Sequence, residues 1–170
     1  MDDLYFAMPL QEGQMDASKI DDILGKYRSN KNIKLDSPVM FGDFASIDFE
    51  QKIRNITMKA KKYLDLANVA ITEKDKIELS AHYGLDSFEQ TGVFIVNKIN
   101  REYCKKLLVV LDNQSHPTHH HIKKEESFEL LHGDCVLNLN GKNIELERGK
   151  AVLIPRGTKH SFTSKGGCVI

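Results

Sequence analysis

The chain has 170 residues, and its 24 Lys plus Arg balance 24 Asp plus Glu for a formal net charge of zero. That length suits one ordinary domain with a small annex, or two small domains, and the charge balance excludes the broad basic surface that general nucleic-acid or membrane binding needs. Cys104, Cys135 and Cys168 form no CxxC pair and suit no zinc module, so a reduced, cytoplasmic protein is expected.

The start, "MDDLYFAMPLQ", has no basic leader before an apolar core, and no run approaches the ~20 apolar residues of a membrane span. "LYFAMPLQEGQM" reads as a short strand and turn, and Asp16 as the N-cap of a short helix through Leu24. Extended pieces follow around Ile33–Leu35 and Pro38–Phe41. Residues 1–45 thus form a small, mostly non-helical unit. In residues 48–68 the period changes. Ile53, Ile56, Ala60, Tyr63, Leu64 and Ala67 recur every three or four residues, with Lys and Arg on the other faces. This spacing predicts an amphipathic helix that connects two units.

From about Lys76 the period falls to two. Short runs such as "KIELSAHYG", "GVFIVNKIN", "CVLNLNGK" and "AVLIPRG" are split by Gly, Asn, Asp or Pro, which means a sandwich or barrel. Asn140-Gly141 marks a hairpin. Cys135 alternates with Leu137 and Leu139 and is expected to be buried, and Tyr83 and Tyr103 are read as packing residues.

Five of the seven histidines lie in "SHPTHHHIKKEESFELLHGD", residues 115–134. His119 and His121 are two apart on a strand, so they share a face about 6.5–7 Å apart, a separation from which two imidazoles can close on one divalent ion. A turn over Lys123 and Lys124 can return Glu126, which shares parity with Phe128 and Leu130, to the same interior. In "GKAVLIPRGTKHSF", Pro155 and Gly157 make a turn able to aim His160 at the same place. His120 has opposite parity, as does Glu125, and both are expected to face away. His116 is placed before the strand beside Pro117. His132 is read as solvent-facing or core, Lys159 as a surface lysine, and His82 as structural. His82, His116 and Arg156 are also the candidates for substrate contact.

These residues resemble the two signature motifs of the cupin superfamily. Residues 113–133 resemble the first, G, five residues, HxH, four residues, E, six residues, G, with His119, His121, Glu126 and Gly133 in place. Residues 149–164 resemble the second, with Gly149, Pro155, Gly157 and His160. Asn113 replaces the first glycine and is well tolerated at positive φ; Ser164 replaces a closing Asn that is not a ligand. The resemblance implies a mainly β fold: a cupin double-stranded β-helix or jelly-roll barrel over 76–170 and one divalent metal ion on His119, His121, Glu126 and His160. Three imidazoles and a carboxylate suit Mn²⁺, Fe²⁺, Co²⁺ or Ni²⁺, with Zn²⁺ also open.

A longer stretch, from "IELSAHYGLDSFEQTG" through the histidine cluster, resembles the C-terminal region of bacterial N-acetylneuraminate (sialic acid) synthase-like proteins. There a catalytic barrel precedes an SAF (antifreeze-like) segment, a helix and a cupin. This resemblance implies an SAF-like unit in 1–45, a connecting helix and linker in 46–75, and a synthase catalytic domain on the same full-length chain, the end at "CVI" then fitting a fragment. It also implies a small-molecule sugar or sugar acid as ligand and a homodimer. Two functions follow, and the absence of an identifiable general base favours the first. One is a metal-binding module for sugar binding or regulation in surface-carbohydrate biosynthesis. The other is a metal-dependent sugar isomerase or epimerase, which needs a general base that the sequence does not identify.

Overall fold

The computed structural model describes residues 44–170, so the expected strand, N-capped helix and SAF-like unit over residues 1–43 lie outside the described residues. Helix α1 spans Phe44–Leu66, a few residues earlier at each end than the apolar spacing alone indicates. Ile53, Ile56, Ala60, Tyr63 and Leu64 are all buried on its inner face, as the three-and-four spacing requires.

Eleven strands follow: β1 (Lys76–Ser80), β2 (Val93–Asn100), β3 (Cys104–Val110), β4 (Ser115–His119), β5 (Glu126–Glu129), β6 (His132–Gly133), β7 (Val136–Leu139), β8 (Lys142–Glu145), β9 (Ala151–Ile154), β10 (His160–Thr163) and β11 (Cys168–Val169). Between β1 and β2 lie a short 3₁₀ turn, Leu85–Ser87, and the one-turn helix α2, Phe88–Thr91, where the sequence had suggested only a break. The strands pair into a five-stranded sheet β1-β2-β3-β11-β6, a four-stranded sheet β4-β10-β7-β8 and the pair β5-β9.

Alternation along the five-stranded sheet gives it two apolar faces. Ile77, Phe94, Val96, Leu107 and Val109 pack with α1. Val93, Ile95, Val110, Cys168 and Ile170 pack with Phe128, Leu137, Ile154 and Phe162 from the other sheets. Helix, sheet and barrel interior are therefore successive layers, and the second layer of apolar side chains floors the site.

Two backbone positions fix the barrel. The Asn140-Gly141 pair has φ of 49° and 89° between Leu139 and Lys142, which are paired; two positive φ values make the hairpin turn that Asn-Gly favours. Gly133, at φ 83°, lies so close to the Gly167 carbonyl oxygen that a Cβ would collide with it. Asn113 takes φ 58°, the left-handed conformation expected of the residue that replaces glycine there. Cys135 is buried as expected, while Tyr83 and Tyr103 are 67% and 64% exposed. Both tyrosines fall outside the alternating strand positions, at the loops after β1 and before β3, so periodicity did not govern them.

Candidate metal centre

Strands β4 and β10 lie side by side, with His119 opposite His160 and His116 opposite Phe162. Between these pairs, two residues on β4, Pro117 and Thr118, face one on β10, Ser161, which is a β-bulge. Proline has no N–H to give the ladder and is at home in such a bulge. The bulge corrects the placement of His116. It lies within β4 and is 7% exposed, and the extra residue turns it and His119 toward the same interior despite their odd spacing. His120 and Glu125 are exposed, as their parity requires, and so is Lys159. His132 is half-buried on β6.

His121 follows β4 directly, and the Gly157 N–H donates to its carbonyl at 2.8 Å. That bond clamps the Pro155–Thr158 turn against the end of β4 and delivers His160 beside it. Glu126 opens β5 opposite Ile154 of β9, the strand that runs into the same turn. One ligand atom from each of His119, His121, Glu126 and His160 lies within 4.8 Å of the others. Glu126 Oε1 is 3.4 Å from His121 Nε2, and its Oε2 is 3.2 Å from His160 Nε2. All four side chains named from the motif spacing converge.

The donor set fits a divalent ion. His119 Nδ1 lies 3.0 Å from the Pro117 carbonyl, and His160 Nδ1 lies 3.0 Å from the Thr158 carbonyl. A carbonyl oxygen only accepts, so each Nδ1 carries the proton and each Nε2 presents a lone pair, the tautomer that metal-binding histidines adopt. Glu126 Oε2 and His160 Nε2 are both buried and neither completes a hydrogen bond. Orphaned buried polar atoms are costly, and a cation between them removes the cost.

Charge is distributed to match. Burial alone would raise the Glu126 carboxyl, but the His160 and His121 imidazoles outweigh it and hold the group below the usual carboxylate range. Burial pushes His119 down to about 4, which keeps its lone pair available. His160 is raised: burial opposes this, and the Glu126 carboxylate with the Thr158 carbonyl overcomes it. Burial, reinforced by the His119 and His82 rings, takes His116 down to about 3.

Of the four candidate ligands, His119, His121 and Glu126 line a cavity of about 540 Å³ whose wall also includes His82, His116, Arg156 and the exposed Tyr103. His82 is exposed, with its ring 4.8 Å from that of His116; the His116 ring in turn stacks on Phe162 at 4.6 Å. His82 is therefore a wall residue of the cavity. Glu78 and Lys106 also line the cavity. They share strand faces with Ser80 and Leu108, a parity signal that pairing of β1, β2 and β3 turns into a common wall.

Comparison with known proteins agrees with this architecture. Residues 107–169 match the family model of the cupin domain, and the chain thus contains a cupin domain. It is similar to a D-lyxose/D-mannose isomerase of Thermosediminibacter oceani, 32% identical over 123 residues, covering 67% of this chain and 66% of that protein. A D-lyxose ketol-isomerase of a Thermofilum species matches with the same identity and the same coverage. The chain therefore spans just under two thirds of these relatives' length. Among solved structures, a cupin-2 domain protein of Shewanella frigidimarina superposes with a TM-score of 0.38 at 27% identity, covering 42% of this chain and 68% of that one.

Proposed function

We propose that the chain is a metal-dependent sugar isomerase of the cupin type, interconverting an aldose and a ketose. The observation that carries the proposal is the convergence of His119, His121, Glu126 and His160 at the head of a cavity of about 540 Å³. The isomerase names of the two relatives, both covering two thirds of this chain, favour this reading over a regulatory module of a sialic acid synthase. The bound ion would supply Lewis-acid polarisation of the sugar carbonyl and its neighbouring oxygen.

The chain's own residues prepare that chemistry. Four protein ligands in an octahedral preference leave room for a chelating pair of substrate oxygens. Val93, Ile95, Leu108 and Phe128 give the cavity an apolar floor, which strengthens electrostatic interactions above it. His82, His116 and Arg156 line the wall and offer polar groups to sugar oxygens there. Mn²⁺, Fe²⁺, Co²⁺, Ni²⁺ and Zn²⁺ are the candidate ions, and a homodimer is the proposed assembly. Among the described residues no helix is long and apolar enough to cross a membrane.

The test is incubation of metal-loaded protein with D-lyxose or D-mannose in deuterated water. Formation of the corresponding ketose, or deuterium at the carbon beside the carbonyl, supports the proposal. Absence of both for these and other pentoses and hexoses contradicts it.

A further inference from the structure

The barrel face of the five-stranded sheet changes character along its length. On β2 the inward residues run Val93, Ile95, Asn97, and on β3 they run Val110, Leu108, Lys106. Asn97 stands opposite Lys106, and Ile95 links Leu108 on one side to Glu78 on the other. One end of this face is apolar and the other carries three polar side chains. The Lys106 ammonium lies 3.5 Å from Glu78 Oε2, with side chains only 12% and 23% exposed. The Asn97 amide donates to the same oxygen at 3.2 Å, while its own Oδ1 is buried without a partner.

A half-buried ion pair contributes little to stability, because desolvation offsets the Coulomb attraction. Its position is therefore more informative than its energy. Glu78 and Lys106 line the same cavity as His119, His121 and Glu126. The histidines of β4 and β10 stand on one wall, and β1 and β3 form the other. Facing sheets are about 10 Å apart, and inward side chains narrow that gap. The cavity thus carries polar groups on both walls, and Ile95 and Leu108 line it beside Glu78 and Lys106.

We propose that Glu78 and Lys106 form an anchor for the far end of an open-chain polyhydroxy substrate whose carbonyl end faces the four metal ligands. Lys106 donates and Glu78 accepts, a pairing that suits vicinal hydroxyl groups, each of which both donates and accepts. The anchor makes Glu78 and Lys106 specificity-determining residues: it selects sugars long enough to reach both walls and holds them extended across the cavity. The proposal rests on the isomerase reading for its substrate class, while the binding geometry stands on the cavity alone.

The test compares wild type with Glu78→Gln and Lys106→Met, all loaded with the same divalent metal. Metal content, turnover of D-lyxose and D-mannose, and calorimetric affinity for the linear sugar alcohol D-mannitol are measured. Loss of a hydrogen bond to a charged group predicts roughly ten- to hundredfold weaker binding of the linear ligand and a matching rise in KM, with kcat changed less. Glycerol, too short to bridge the walls, is expected to bind all three proteins alike, and metal content to stay unchanged. Unchanged KM and mannitol affinity in both variants overturn the anchor even when wild type turns sugar over. Mannitol binding that weakens in the variants without any turnover supports the anchor and overturns the isomerase reading. A wild-type protein that neither binds mannitol nor turns sugar over overturns both.

Discussion

His119 and His160 come from segments forty residues apart in the sequence, yet they are paired residues on adjacent strands, with ring centroids 4.1 Å apart. Each anchors its Nδ1 on a backbone carbonyl two residues earlier. The shared arrangement leaves two Nε2 atoms directed at one point, and Glu126 bridges toward His160 and His121 from the third side.

Removing any one of these ligands should release the ion. Replacement of His119, His160 or Glu126 by Ala is expected to take metal content from about one ion per chain to near zero after dialysis, because three protein ligands no longer hold the ion in competition with water. Elemental analysis against protein concentration checks this. His120→Ala, a substitution at an exposed neighbour, should leave the content unchanged.

Metal affinity should fall on acidification. A ligand imidazole must be neutral to bind. His160 is raised in the metal-free protein, whereas His119 is lowered to about 4. His160 is thus the first of these two to be protonated as pH falls, and binding must displace that proton. Calorimetry at pH 5.5 and 7.5 should show weaker binding at the lower pH, with uptake of the displaced proton by buffer. His119 stays neutral across this range.

The metal-free protein should lose stability as pH falls below 6.5. His116 and His119 are depressed in the fold, to about 3 and about 4, so the unfolded chain binds protons there that the folded chain refuses. Their contribution is present above the unfolded value and disappears as pH falls toward the folded one. His160 acts with the opposite sign: its raised value contributes below 6.5 and is lost as pH rises. Two depressed groups against one raised give a net decline in acid. Urea midpoints between pH 7.5 and 4.5 measure it. His116→Phe, which keeps a ring on Phe162, should flatten the curve.

Gly133→Ala should be strongly destabilising. The position combines φ of 83° with a backbone carbonyl where the new Cβ would lie. Positive φ and a collision with backbone that cannot rotate away together cost about 2–4 kcal/mol, readable as a lower denaturant midpoint at unchanged slope. Gly141→Ala, with nothing near its Cβ direction, bears only the conformational part and should cost about 1 kcal/mol.

The ligand set is legible in the sequence because short-range rules govern it. The two-residue repeat places His119 and His121 on one face, the parity of Glu126 with Phe128 turns it inward, and Pro155 with Gly157 forces the turn before His160. The α1 face and the Asn140-Gly141 hairpin are legible for the same reason. The facing of His116 is not, because a bulge at Pro117 and Thr118 changes the parity, and whether the chain bulges there is settled by pairing with β10. Tyr83 and Tyr103 lie in loops where period carries no information. The wall that carries Glu78 and Lys106 depends on the register of three strands, which is set by pairing across the sheet and not by any one segment.

Anomalous diffraction from crystals of metal-loaded protein shows whether one cation sits among His119, His121, Glu126 and His160. The predicted result is a single strong peak about 2.0–2.3 Å from the Nε2 atoms of His119, His121 and His160 and from a Glu126 carboxylate oxygen. No peak at that point in protein grown with excess divalent metal, or a peak held by other residues, would contradict it.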